Sequence, residues 1–154
     1  DPATDPHLAA RFDAAVASPR AVNRAALQRA FGLPEHAGAM LVAVIGRLTW
    51  QKGVDLVLEA LPAILAEGAQ LVILGTGDAA LEHRCLSAAA SLPGAVATRI
   101  AFDEALGRVL YGGSDAILVP SRFEPCGLTQ MCAMRYGALP IAARVGGLSD
   151  TVVD

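Results

Sequence analysis

The chain predicts a doubly wound α/β fold, a parallel sheet with helices on both faces. Three observations carry that prediction. Short apolar runs alternate with stretches of helical spacing five times along the 154 residues. The runs are continuously apolar rather than alternating, as strands covered on both faces must be. Glycines and charged residues cluster directly after the runs, on the strand-to-helix edge where open parallel sheets bind their ligands.

The elements follow in order. Residues 1–24 are polar at first and broken by Pro2, Pro6 and Pro19, so they read as a hinge or linker leading into a domain over 25–154. An Ala-rich helix is predicted over 21–31, stopped by Gly32 and Pro34. A strand over 40–45 comes next. Val54, Val57, Leu58, Leu61, Ile64 and Leu65 recur at helical spacing, predicting a helix over 54–66 with Pro62 as a point of kinking. Strands are predicted over 70–74, 95–101, 116–119 and 139–143. Helices are predicted over 79–91, 104–111, 129–136 and 147–154.

Composition narrows the function classes. Apolar residues make up 54% of the chain and charged residues 18%, which excludes a disordered tail. A net charge of −3 gives no electrostatic footprint for nucleic acid or an anionic membrane. No apolar run approaches the ~20 residues of a membrane span. Cys85, Cys126 and Cys132 are odd in number and lack metal-type spacing, and His7, His36 and His83 are scattered. Reduced thiols in a cytoplasmic protein without a metal site are expected. The chain starts at Asp1 rather than Met and stops within a predicted helix, so it reads as a piece of a longer protein.

Four stretches carry candidate chemistry. Gly46-Arg47-Leu48-Thr49-Trp50-Gln51-Lys52-Gly53 follows the first strand. Gly46 permits a tight turn, and Arg47 and Lys52 are two cations suited to a diphosphate whose charge grows as it departs. Gly75-Thr76-Gly77-Asp78-Ala79-Ala80 formally matches the dinucleotide fingerprint but follows the second strand, so a plain strand-to-helix turn competes with it. Ser121-Arg122-Phe123-Glu124-Pro125-Cys126-Gly127-Leu128-Thr129 joins a strand to a helix start. Glu124 there is placed to accept sugar hydroxyls or to stabilise the helix start, and the amides of Gly127, Leu128 and Thr129 to hold a phosphate. Cys126 reads as a reactive thiol or, more simply, a small residue packed under the loop, and Cys132 as a core residue. Phe102 is either a base-stacking aromatic or a core residue. Gly146-Gly147 offers close ligand approach or a structural turn.

These residues resemble the bacterial and plant starch and glycogen synthases. The resemblance rests on Gly46-Arg47-Leu48 with Gln51-Lys52-Gly53-Val54-Asp55, on the stretch 121–130, on Arg135-Tyr136-Gly137-Ala138-Leu139-Pro140, and on Gly146-Gly147-Leu148-Ser149-Asp150-Thr151-Val152. Thr4-Asp5-Pro6 is similar to the passage between the two domains of those enzymes. The resemblance implies a Rossmann-like half of a two-domain GT-B glycosyltransferase. Such enzymes move glucose from ADP-glucose to an α-1,4-glucan with retention and need no further cofactor.

It further implies catalytic roles for Arg47, Lys52 and Glu124, with Phe102, Cys126, Gly127, Leu128 and Thr129 around the nucleotide sugar; Gly46, Gly75 and Gly77 join them as nucleotide-sugar-binding candidates from the loop reading. Phe102 stands where such enzymes often carry Tyr, so a ring is kept and a hydroxyl lost. Cys132 stands where the wider retaining GT-B group has a second Glu, which leaves the ribose without its usual carboxylate. The partners implied are the donor, the glucan and an N-terminal domain of the same enzyme; the fragment alone is expected to transfer nothing. An NAD-dependent oxidoreductase domain, a non-catalytic nucleotide-sugar module and a pyridoxal-bearing phosphorylase, which would need Lys52, are the competing readings.

Overall fold

The computed structural model describes residues 1–153. Five strands form one parallel sheet: β1 (Leu41–Ile45), β2 (Gln70–Gly75), β3 (Val96–Ile100), β4 (Ala116–Val119) and β5 (Leu139–Ala142). Their spatial order is β3-β2-β1-β4-β5, so the winding reverses between β1 and β4. Register is set by pairs such as Leu41 with Gln70, Val42 with Ala116, and Ala116 with Leu139.

Six helices cover the sheet: α1 (Arg20–Phe31), α2 (Val54–Ala66), α3 (Ala79–Ser91), α4 (Glu104–Gly113), α5 (Thr129–Arg135) and α6 (Gly146–Thr151). Side chains of a strand alternate between faces, and β1 shows the result. Leu41 and Ala43 join Leu27 of α1, Leu110 of α4 and Ala133 of α5 in one core. Val42 and Val44 join Val57 and Leu61 of α2 and Cys85 of α3 in the other. The central strands β1 and β2 are covered on both faces and read as apolar runs, whereas the edge strands are partly open: Leu139 and Ile141 of β5 are exposed, and β3 carries Thr98 and Arg99.

The predicted helices and strands are all present. α1 begins at Arg20, after Pro19, within the stretch read as lead-in. α2 runs through Pro62 without interruption. The last helix is shorter than the predicted 147–154: Val152 turns extended, and Asp154 lies outside the described residues. The lead-in is irregular but docked. Leu8 and Phe12 pack on Tyr136, and the buried Asp5 carboxylate accepts a 2.5 Å bond from the Tyr136 hydroxyl.

Sequence reading placed Gly75 and Gly77 against a nucleotide; the backbone gives another reason for both. A Cβ at Gly75 would sit 1.8 Å from the Gly46 carbonyl oxygen, and one at Gly77 2.4 Å from that of Leu48. The chain after β1 continues its parallel pairing there: Leu48 N–H donates to Thr76 O at 2.9 Å, and Asp78 N–H to Leu48 O at 2.9 Å. Gly75→Ala is therefore expected to cost roughly 2 kcal/mol or more in urea unfolding, as overpacking against backbone does. Gly38→Ala, whose new methyl would meet only the His36 ring at 3.6 Å, serves as the near-neutral control. Equal unfolding midpoints for the two variants would contradict the close approach.

Candidate functional site

Two adjoining cavities open on the carboxyl edge of the sheet around the ends of β1, β2 and β4. The smaller, about 210 Å³, lies at the β1/β4 reversal and is lined by Gly46, Arg47, Lys52, Ser121, Glu124 and Thr129. The larger, about 460 Å³, lies over the ends of β1 and β2 and beside α4, with Thr76, Phe102, Glu104, Arg108, Tyr111 and Cys132 among its walls. Ile45, Gly46 and Arg47 border both. Arg47 thus stands between a small polar compartment and a larger apolar one, and its side chain has no hydrogen-bond or ion-pair partner among the described residues.

Local structure explains the convergence. Gly46 has φ +135°, which carries the chain sharply off the end of β1. A 3-10 turn, Trp50–Lys52, then leads into α2. The loop after β4 is laced to that turn. Arg122 N–H donates to Gln51 O at 2.9 Å, and the Gln51 amide donates to Phe123 O at 3.1 Å. The Arg122 guanidinium grips both carboxylate oxygens of Asp55 at 2.7 Å, donates to Trp50 O at 2.7 Å, and lies 4.5 Å over the Trp50 ring. The bonds from Arg122 hold the Asp55 carboxyl below its ordinary value, outweighing the opposing effect of burial.

This lacing brings Lys52 onto Glu124, and the two form a largely buried ion pair. Ser121 Oγ donates to the same Glu124 oxygen at 3.2 Å. Lys52 is therefore not a free cation; it is held by the acid it shares the cavity with.

The loop after β5 closes from the other side. Gly147 N–H donates to Glu124 O at 3.0 Å, and Cβ atoms at Gly146 and Gly147 would fall 2.2 and 2.5 Å from the Glu124 and Cys126 carbonyl oxygens. The two glycines make a close backbone contact, as the structural-turn reading expects. Buried Gln130 fixes the turn before α5 by donating to Cys126 O at 3.1 Å and Gly127 O at 3.0 Å. Gly127 takes φ +72° there.

Several expected site residues fall elsewhere. Thr129 lines the smaller cavity, but Cys126, Gly127 and Leu128 flank it without forming its walls. Cys126 is exposed rather than packed under the loop. Gly75 borders the larger cavity, whereas Gly77 borders neither. Cys132 is not a core residue; it lies in the wall of the larger cavity with Tyr111. Phe102 is 93% exposed, which removes the core alternative and leaves its ring at the rim of that cavity. The fingerprint at 75–80 forms a strand-to-helix turn with carboxylates on two of its amides. Asp78 accepts from Ala80 N–H at 2.9 Å and Glu82 from Gly77 N–H at 2.7 Å, so carboxylates already take the amides at the start of α3.

Tyr111 and Ser121 were missed as wall residues. Burial pushes the Tyr111 hydroxyl up to about 12, with the Thr129 side chain pulling the other way. Tyr111 keeps its proton and is a donor at neutral pH.

The fold and the site define a Rossmann-like α/β domain of the GT-B kind, with its crevice at the winding reversal. The chain belongs to the family described as Glycosyl transferases group 1, which matches residues 29–154. It is 55% identical over its whole length to a glycogen synthase of Rhodopseudomonas palustris (strain BisA53). Identity is also 55% to glycogen synthase 2 of Bradyrhizobium diazoefficiens. In both cases it spans 32% of the relative's length. Among solved structures, the catalytic domain of starch synthase IV from Arabidopsis thaliana, bound to ADP and acarbose, superposes with TM-score 0.94 at 40% identity. That match covers all of this chain and 32% of the other.

The Arg122–Asp55 pair has a pH signature that Trp50, the only tryptophan, reports. Because the Asp55 value is lowered, the stability it contributes is full above 3.8 and is lost as pH falls through the lower folded value. Trp50 emission is expected to stay level down to the ordinary aspartate range and to shift only below it. Asp55→Asn is expected to shift emission at neutral pH with far-ultraviolet circular dichroism unchanged. An emission midpoint above 3.8 in the parent chain would contradict the assignment.

Proposed function

We propose that this chain is the donor-binding half of a retaining glucosyltransferase of the glycogen synthase type, taking ADP-glucose and extending an α-1,4-glucan. One observation carries the reading. Arg47, Lys52 and Glu124, from loops far apart in sequence, meet at one small cavity that opens into a larger, aromatic-rimmed one. That division suits a ligand with a charged, hydroxyl-rich end and a flat, apolar end. Likeness over the full chain to glycogen synthases, and to a starch synthase solved with ADP and acarbose, supports the choice of donor and acceptor.

In this reading the diphosphate lies between Arg47 and Lys52, and the nucleoside occupies the larger cavity with Phe102 against the base. Glu124 accepts from the glucose hydroxyls. As the bond from the anomeric carbon to the diphosphate oxygen breaks, both cations stabilise the charge gained by the leaving oxygen. The acceptor hydroxyl attacks from the same face and its proton passes to that oxygen. Positioning and electrostatics do the work, and this half supplies no nucleophile. Closure over the donor, and the remaining contacts to the glucan, fall to an N-terminal domain of the same enzyme. The setting proposed is cytoplasmic, with no cofactor beyond the donor.

Thermal-shift titration of the chain tests the donor assignment. ADP-glucose and ADP are expected to raise the unfolding temperature, and NAD is not; stabilisation by NAD alone would overturn the reading. Arg47→Ala is expected to weaken ADP binding about tenfold or more, the scale of a charge-assisted hydrogen bond. Phe102→Ala is expected to weaken it by about fivefold, the scale of one aromatic contact. The chain alone is expected to transfer no glucose from ADP-glucose to glycogen, and measured transfer would refute the division of labour.

A further inference from the structure

Trp50 is the feature that the donor site leaves unused. It lines neither cavity, yet it is 66% exposed on the carboxyl edge, two positions before Lys52. A large aromatic ring left in water offers an apolar face whose burial by a ligand would be favourable.

The ring is held rather than loose. The Arg122 guanidinium lies 4.5 Å from its centroid, covering one face. That guanidinium is itself fixed by two bonds to Asp55 and one to the Trp50 carbonyl oxygen. The opposite face is left to solvent on a ring whose orientation is already set, so a ligand stacking there loses little freedom in doing so.

We propose that Trp50 is a platform on which a glucose unit of the acceptor glucan stacks. The proposal rests on the glucosyltransferase reading above. Aromatic faces are electron-rich, and the C–H faces of a pyranose ring are apolar and slightly positive, so the two complement each other. Polar side chains surround the ring: Gln51 precedes Lys52 in the same turn, and Arg122 and Asp55 lie beneath. They are suited to the hydroxyls at a sugar's rim. The position also fits, since an acceptor must approach the cavity of Lys52 and Glu124 from the open edge.

The single tryptophan makes the test direct. Maltoheptaose added to the chain is expected to change Trp50 emission saturably, and glucose at equal concentration to do much less. In native gels containing glycogen, the parent chain is expected to be retarded. Trp50→Phe should keep part of that retardation. Trp50→Ala is expected to weaken glycogen affinity by about tenfold, the scale of an aromatic stacking contact, with an unchanged thermal unfolding curve. Retardation of Trp50→Ala equal to that of the parent would overturn the proposal. So would the absence of any emission change or retardation while ADP-glucose still stabilises the chain. If ADP-glucose also fails to stabilise it, the donor reading falls as well, so the two failures are distinguishable.

Discussion

The grip of Arg122 on Asp55 is the constraint on which the site depends. At the winding reversal, the chains leaving β1 and β4 diverge toward helices on opposite faces of the sheet, and a crevice opens between them. A crevice of that origin has no reason to hold a fixed width. The two-pronged bond from the loop after β4 to the first turn of α2, with the Gln51–Phe123 and Arg122–Gln51 bonds beside it, sets that width. A lysine at 122 would offer one point charge in place of a planar fork and would leave the loop free to pivot. Lys52 reaches Glu124 only because this stitching is in place.

The same edge is locked by backbone contacts on both flanks. Gly75 and Gly77 let the chain after β2 lie against that after β1, and Gly146 and Gly147 let the chain after β5 lie against Glu124–Cys126. All four glycines serve contacts of protein with protein. The rim of the crevice is therefore a single interlocked layer of loops, and side chains that must meet a ligand project from a scaffold with little freedom of its own. Pre-set geometry of this kind reduces what ligand binding has to order.

Much of the fold was legible in the sequence because burial on both faces leaves a strong pattern. Apolar runs, broken in β3 by Thr98 and Arg99, and the helical spacing between them place the strands and α-helices, and the glycine-rich turns mark the correct edge. The contents of the site were less legible. Lys52 and Glu124 are 72 positions apart, and nothing in either loop announces that they pair. Phe102 ends an apolar strand, so its surroundings give the same signal whether the ring turns inward or out. Cys132 sits one turn inside a helix with a buried face, and only the packing of α5 against α4 shows that its thiol reaches the larger cavity beside Tyr111. Gly75 and Gly77 were ambiguous for a physical reason: close approach of backbone to backbone and of backbone to phosphate demand the same residue.

The Lys52–Glu124 pair also explains why the cation at 52 is a lysine. A carboxylate this buried is costly to leave alone, so a ligand that drew the cation away would strand it. An ammonium has three donors around one compact charge and can serve Glu124 and a phosphate oxygen together. A guanidinium in the same place would spend its fork on the carboxylate, as Arg122 does on Asp55. Arg47 meets the complementary need. It borders both cavities and spends nothing on a partner among the described residues, so its full fork is available to an anion lying across the boundary. One shared cation and one unspent cation make the smaller cavity receptive to an anion, in the reading proposed above a diphosphate, while keeping its carboxylate paired.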